Sequence, residues 1–206
     1  MKKVTALKFV VFPLCLVPLA LLAWKGFHDD LGANPIEVIT HSTGDWTIIF
    51  LLITLAITPL RRVTGQHWLI RFRRMTGLYA FFYAALHFTT YIWLDKFFDV
   101  PEMLKDVGKR PFITVGFLGF VLLIPLAATS MQWAIRKMGK NWASLHRLVY
   151  LSAIAGVVHY WWLVKIDIRK PLRYAIILAV LLGWRVVVWA MKKTRAQAAP
   201  TPVAAD

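Results

Sequence analysis

Apolar residues fall into six runs separated by polar connections: roughly Leu7 to Trp24, Trp46 to Leu60, Thr76 to Leu94, Phe112 to Met131, Ser144 to Val164 and Leu172 to Met191. Each run predicts a membrane-crossing α-helix, the second only barely long enough. Pro59 is expected to end the second run, whereas Pro13, Pro18 and Pro125 fall inside runs and should kink their helices or mark breaks. The expected fold is an all-α integral membrane protein, a six-helix transmembrane bundle over residues 1–195, followed by a disordered Ala/Pro-rich tail over 196–206. The basic start and apolar first run have the form of a signal peptide. No small-x-small cleavage site follows Trp24, so the run is expected to stay as the first helix.

Polar positions between the runs set the orientation, because short cytoplasmic loops carry the excess of Lys and Arg. Lys2, Lys3 and Lys8 precede the first run, while the first connection sets Lys25 against Asp29, Asp30, Glu37 and Asp45. The second connection has Arg61, Arg62, Arg71, Arg73 and Arg74, the fourth Arg136, Lys137 and Lys140, and the C-terminal end Lys192, Lys193 and Arg195. This pattern puts both termini in the cytoplasm, with the membrane crossed several times. The third connection mixes acids and bases as an external loop does. The fifth, KIDIRKPLR, is basic yet external in this arrangement, and docking of an acidic soluble partner is one reason for it to be so.

Composition agrees with the pattern: 59% of the 206 residues are hydrophobic, 17% are charged, and mean hydropathy is +0.59. The net charge of +15 would suit nucleic acid in a soluble protein. Here the cations cluster between apolar runs, where they read as topology signals and contacts to membrane lipid headgroups, with no nucleic acid implied. The single cysteine, Cys15, lies within the first run, which leaves out a disulfide framework or a cysteine-ligated iron–sulfur cluster and makes it a packing residue. Most tryptophans, among them Trp46, Trp142 and Trp184, sit near run ends and are expected in interfacial belts.

Histidines inside the apolar runs carry the candidate chemistry, since an ionisable group in a membrane is by default functional. His146 and His159 lie thirteen residues apart in the fifth run, about 20 Å along a straight helix and about 140° apart in azimuth. A bend in that helix, or two cofactors at different angular positions, would reconcile the two. His87 in the third run falls at the depth of His159, toward the outer face. A b-type haem held edge-on in a helical bundle needs an imidazole from each side, and His87 and His159 meet that need. His146, near the cytoplasmic face, has no partner histidine. Arg73 stands fourteen residues before His87 on nearly the same face, with Arg74 beside it. Arg73, Arg74 and Arg147 can pair with haem propionates or an anionic flavin. Gly156, Ala153 and Ala155 either admit a porphyrin or serve helix packing. His28, His41 and His67 lie in or beside connections and are expected to be solvated or interfacial.

His87 within LYAFFYAALHFTTY and the segment LHRLVYLSAIAGVVHYWW resemble the histidine pattern of ferric reductase-like transmembrane proteins, relatives of the membrane part of NADPH oxidases. The RFRRMTGLYA lead-in, the LHRLVY motif and the small size resemble more closely the family of haem-binding membrane subunits of the bacterial periplasmic methionine sulfoxide reductase system. That similarity runs to about Trp189. Arg73 stands where the oxidase pattern has a histidine. The resemblance implies one or two b haems and FMN. It implies electrons arriving from quinone or a cytosolic flavin reductase, and leaving for a periplasmic molybdopterin-containing methionine sulfoxide reductase catalytic subunit that repairs oxidised proteins.

The expected role is therefore an electron-transfer subunit, a wire whose donor domain and terminal chemistry lie on other chains. Two other classes compete: a small transporter or channel with histidines as a proton relay, and an assembly anchor for a periplasmic enzyme. The shared depth of His87 and His159 favours the wire, since a relay does not need two imidazoles opposed at one level.

Overall fold

A computed structural model describes residues 2–164 and 166–198; these are helices and short connections, with no strand among the described residues. The first apolar run forms two helices, α1 (Lys2–Leu14) and α2 (Val17–Phe27). The break follows from Pro18, which has no N–H to continue the ladder. The Leu16 N–H turns to the Pro13 carbonyl (2.9 Å) instead of that of Phe12. In a membrane the released carbonyls need donors, and two tyrosine hydroxyls supply them: Tyr79 donates to the Phe12 carbonyl (2.8 Å) and Tyr83 to that of Cys15 (2.9 Å). Cys15 is buried there, as expected of a packing residue.

The second run is longer than expected. Helix α3 spans Pro35–Thr64, thirty residues, and Pro59 lies within it rather than ending it. Its start is a capping box: the Asn34 side chain accepts from the Glu37 N–H (3.3 Å) and donates to the Glu37 carboxylate (2.9 Å), with Pro35 in the first turn. Gly65, at φ 70°, closes it in the left-handed conformation. A 3₁₀ turn, His67–Phe72, leads into α4 (Arg73–Thr90), which runs on into a π-turn at Tyr91–Asp95.

The third connection folds into α5 (Val100–Lys109), capped by Asp99, whose carboxylate accepts from the Glu102 N–H (3.0 Å). Helix α6 (Pro111–Ala128) is followed by the short α7 (Gln132–Met138) and α8 (Lys140–Leu145), then α9 (Leu148–Leu163) and α10 (Arg169–Ala198). The fifth run is thus broken at His146–Arg147, so the single straight helix assumed in placing His146 against His159 is not formed. The tail expected to be disordered from Ala196 begins inside α10; its remainder, 199–206, lies outside the described residues.

Two helix pairs form the centre, α3 with α4 and α6 with α9. Phe50 stacks on Tyr83 (5.4 Å between ring centres), and Thr54 donates to Thr76 (2.9 Å) across the first pair. Small residues close the second: a Cβ on Gly119 would stand 3.2 Å from Ala155 Cβ, and Ser152 donates to the Gly119 carbonyl (2.9 Å). Ala155 is therefore a packing residue. Arg185 in α10 donates to the carbonyls of Leu181 and Leu55 and lies 5.3 Å from the Tyr150 ring centre, tying α10 to α3 and α9.

Four segments are long and apolar enough to cross a membrane: Val4–Phe27, Pro35–Thr64, Pro111–Ala128 and Arg169–Thr194. Helices α4 and α9 fall short of that measure. Both are central, and their tyrosines, histidines and the threonines Thr76 and Thr90 are buried or half-buried among neighbouring helices.

Candidate functional site

A cavity of about 790 Å³ lies between α3, α4, α6 and α9, with α5 across one end; His87 and His159 project into it from opposite sides. Ligand pockets run to about 300–1,000 Å³, so the space suits a large prosthetic group. The two imidazole centres are 6.1 Å apart, with planes at 76°. Imidazole nitrogen bonds a first-row metal at about 2 Å, so two imidazoles on opposite sides of one metal have centres about 6 Å apart. The observed 6.1 Å falls at that distance.

Both rings are held by the same device. The His87 Nδ1–H donates to the Thr40 carbonyl (2.9 Å), and the His159 Nδ1–H to the Phe112 carbonyl (2.7 Å). A backbone carbonyl at Nδ1 fixes the tautomer and leaves Nε2 as the lone-pair nitrogen, the usual outer-shell arrangement of a metal-bound histidine. Glycines make room for it. A Cβ on Gly116 would stand 2.6 Å from His159 Nδ1, and one on Gly44 3.1 Å from His87 Cε1. Phe81, Phe88 and Phe120 pack on one another at 4.7 and 6.0 Å; the last two line the same cavity.

At the other end of the bundle His146 caps α8, and the Trp142 ring stacks on it at 3.9 Å. The Thr129 hydroxyl lies 3.1 Å from His146 Nε2 and also donates to the Pro125 carbonyl (2.6 Å), which leaves it to accept the Nε2–H. Among the described residues Nε2 of His87 and of His159 has no hydrogen-bond partner, whereas Nε2 of His146 meets Thr129. Arg73 lies near enough for its charge to act on the His146 ring. Arg74 and Arg147 are exposed. Trp142 and Trp46 are half-buried, and Trp46 packs against Phe50 and Tyr83.

Of the histidines expected to be solvated or interfacial, His28 and His67 are exposed. His41, its side chain 42% exposed, also lines the cavity with Glu37, whose carboxylate is 3.7 Å away, and Asp45. The three lie at i, i+4 and i+8, one helical stripe, legible only once Asn34 is read as the helix start. Gly156 also lines the cavity.

Helix α5 covers this space through Val100, Met103, Leu104 and Val107, an i, i+3, i+4, i+7 stripe. It is tied down by Lys96, 7% exposed at the side chain, whose ammonium lies 2.7 Å from Asp106 and 2.8 Å from Glu102; Arg110 reaches Asp106 at 3.3 Å. Hydrogen bonds from Lys96 hold the Asp106 carboxyl below its ordinary range, and the two carboxylates hold the Lys96 ammonium above its own.

Residues 43–157 match the family model described as ferric reductase like transmembrane component. The chain is 57% identical over 194 residues to a protein of Herminiimonas arsenicoxydans, covering 93% of this chain and 88% of that one. It is 54% identical over 185 residues to one of Bordetella pertussis (89% and 90%) and 51% identical over 209 aligned positions to one of Xanthomonas campestris pv. campestris (97% and 95%). All three are named protein-methionine-sulfoxide reductase heme-binding subunit MsrQ.

Proposed function

Because the chain belongs to the ferric reductase-like transmembrane family and, within it, to the MsrQ haem-binding subunits, we propose that it carries electrons through b haem to a periplasmic methionine sulfoxide reductase catalytic subunit. The observation that carries this is the pair His87 and His159, each fixed through Nδ1 to a backbone carbonyl and both lining one cavity. A bound haem would take up and give up one electron at a time. The chain's own residues would do the rest: His87 and His159 would hold the haem iron, the Thr40 and Phe112 carbonyls set their tautomers, and α5, across one end of the cavity, would limit the access of water.

The topology that serves this role has six crossings, formed by α1 with α2, α3, α4, α6, α9 and α10, with both termini cytoplasmic in a bacterial inner membrane. The distribution of Arg and Lys supports it. Thirty-residue α3 and α10 and the two other apolar segments supply four of the crossings. His146 would serve a second, cytoplasmic-side site together with Arg73, where an arginine fork suits a propionate. Electrons would enter there from quinone or a cytosolic flavin reductase. Arg74 and Arg147 are exposed, and neither lines the cavity that His87 and His159 share. The acceptor would be a molybdopterin-containing subunit repairing oxidised periplasmic proteins.

The test is a reduced-minus-oxidised absorption spectrum of the detergent-purified chain with a haem count. A b-type spectrum is expected. A colourless preparation after haem-supplemented expression would contradict the proposal and favour a proton-relaying transporter.

A further inference from the structure

Cations on the outer side of a membrane protein run against the usual charge bias, and pairing in the structure accounts for some of them but not others. Lys96 and Arg110 neutralise Asp106 and Glu102 beneath α5. Lys170 lies 3.3 Å from Asp45, and Arg169 3.8 Å from Asp167. Lys105, Lys109 and Arg173 are exposed and make no ion pair with another described residue. Lys105 and Lys109 stand one turn apart on α5, a like-charge spacing that disfavours a helix. Their neighbouring acids are already committed, Glu102 and Asp106 to Lys96, and Asp99 to the helix cap.

These three cations flank one opening, apart from the exposed Lys25 of the first connection. Helix α5, which bears Lys105 and Lys109, crosses the end of the cavity containing His87 and His159. Arg173 and Lys170 line an adjoining recess of about 540 Å³ whose other wall includes His41 and Asp45, residues that also line the His87–His159 cavity. Apolar groups accompany them: Phe97 and Phe98 are 76% and 63% exposed, and both have positive φ, 48° and 62°. Bulky residues rarely adopt that conformation, and held strain of this kind gathers at functional sites.

We infer that the outer face of α5 and the start of α10 form the docking surface for an acidic face of a soluble redox protein, with Lys105, Lys109 and Arg173 as the attracting charges and Phe97 and Phe98 as apolar contacts. This rests on the electron-transfer reading above and adds the surface and its sign. Surface charges of one sign steer an oppositely charged partner and make its binding salt-dependent. The cations stand over the end of the bundle where the proposed haem lies nearest the outer solution, so docking there would bring an acceptor close to it.

The experiment measures binding of the periplasmic methionine sulfoxide reductase catalytic subunit from the same organism to the full chain in nanodiscs of zwitterionic lipid, by biolayer interferometry. The expected wild-type affinity falls about tenfold or more on raising salt from about 50 mM to about 500 mM, as screening shortens the reach of the charges. The triple variant Lys105→Glu, Lys109→Glu, Arg173→Glu is expected to bind about tenfold or more weakly at low salt. The neutral triple variant with Gln should fall between, and all three proteins should keep the same haem spectrum. Equal affinity for wild type and charge-reversed chain would overturn the surface, and a difference seen only after anionic lipid is added would assign these charges to headgroups. A colourless but binding wild-type chain would reject the electron-transfer reading while leaving the surface intact; a haem-loaded chain indifferent to charge reversal would do the opposite.

Discussion

The most demanding contact in the proposed haem site involves a residue with no side chain. A methyl group at Gly116 would stand 2.6 Å from His159 Nδ1, where the ring now donates to the Phe112 carbonyl. Gly116→Ala should push the imidazole off that carbonyl and free its tautomer, with haem retention about ten- to a hundred-fold weaker, the usual effect of losing an outer-shell partner. Gly183→Ala, where a methyl group meets nothing within 4 Å, should retain haem as the unmodified chain does. Equal haem loss in both, measured as haem per chain after detergent washing, would count against this role for Gly116. The histidines themselves were legible in the sequence because ionisable groups stand out in apolar runs. Their carbonyl partners were not, since Thr40 and Phe112 act through backbone atoms that carry no sequence signature. The glycines opposite the rings were equally hidden, because close approach depends on which helices face each other.

At the scale of elements, apolar runs located the crossings but not their ends. Helix α3 begins eleven residues before the apolar run at Trp46, since the Asn34–Glu37 capping box and Pro35 start a helix whose first turns are polar. That extension brings Glu37, His41 and Asp45 to the cavity. Helix α5 was likewise read as a mixed-charge loop, although its apolar stripe and Asp99 cap are local features. Its hold depends on Lys96. Lys96→Met would leave Asp106 without its closest cation, at a cost of about 2 to 3 kcal/mol, and α5 amides should lose protection in hydrogen exchange while those of α3 keep theirs. Unchanged protection of α5 would show that the apolar stripe alone secures it. The pH dependence follows from the same pair. Asp106 is held below its ordinary 3.8, so its contribution is complete above that value and is lost as pH falls through the depressed one. Lys96 is held above its ordinary 10.5, so its contribution is complete below that value and is lost only as pH rises through the raised one. Opening of α5, after correction for intrinsic exchange, should therefore be flat between about pH 5 and about pH 9. A loosening near neutrality would point to a different titrating group.

For the whole molecule, two central helix pairs hold the cavity and the outer helices α1, α2 and α10 present apolar surface, with Phe9, Phe27, Val180 and Trp189 all more than half exposed. Cys15 is the only cysteine, so a Cys15→Ala background allows single-cysteine mapping of orientation. A membrane-impermeant maleimide added to intact spheroplasts should label Asp30→Cys and Gly108→Cys, whereas Thr64→Cys and Lys137→Cys should react only after permeabilisation. Labelling of Lys137→Cys from outside would reverse the bundle and with it the direction of electron flow. The central claim remains that His87 and His159 bind one haem between them while His146 serves another place. It is tested most directly by haem per chain and reduced-minus-oxidised spectra of His87→Ala, His159→Ala and His146→Ala, each purified alongside the unmodified protein. His87→Ala and His159→Ala should lose the same spectral component, and His146→Ala should retain it. Full haem content with an unaltered spectrum in either of the first two variants would contradict the account.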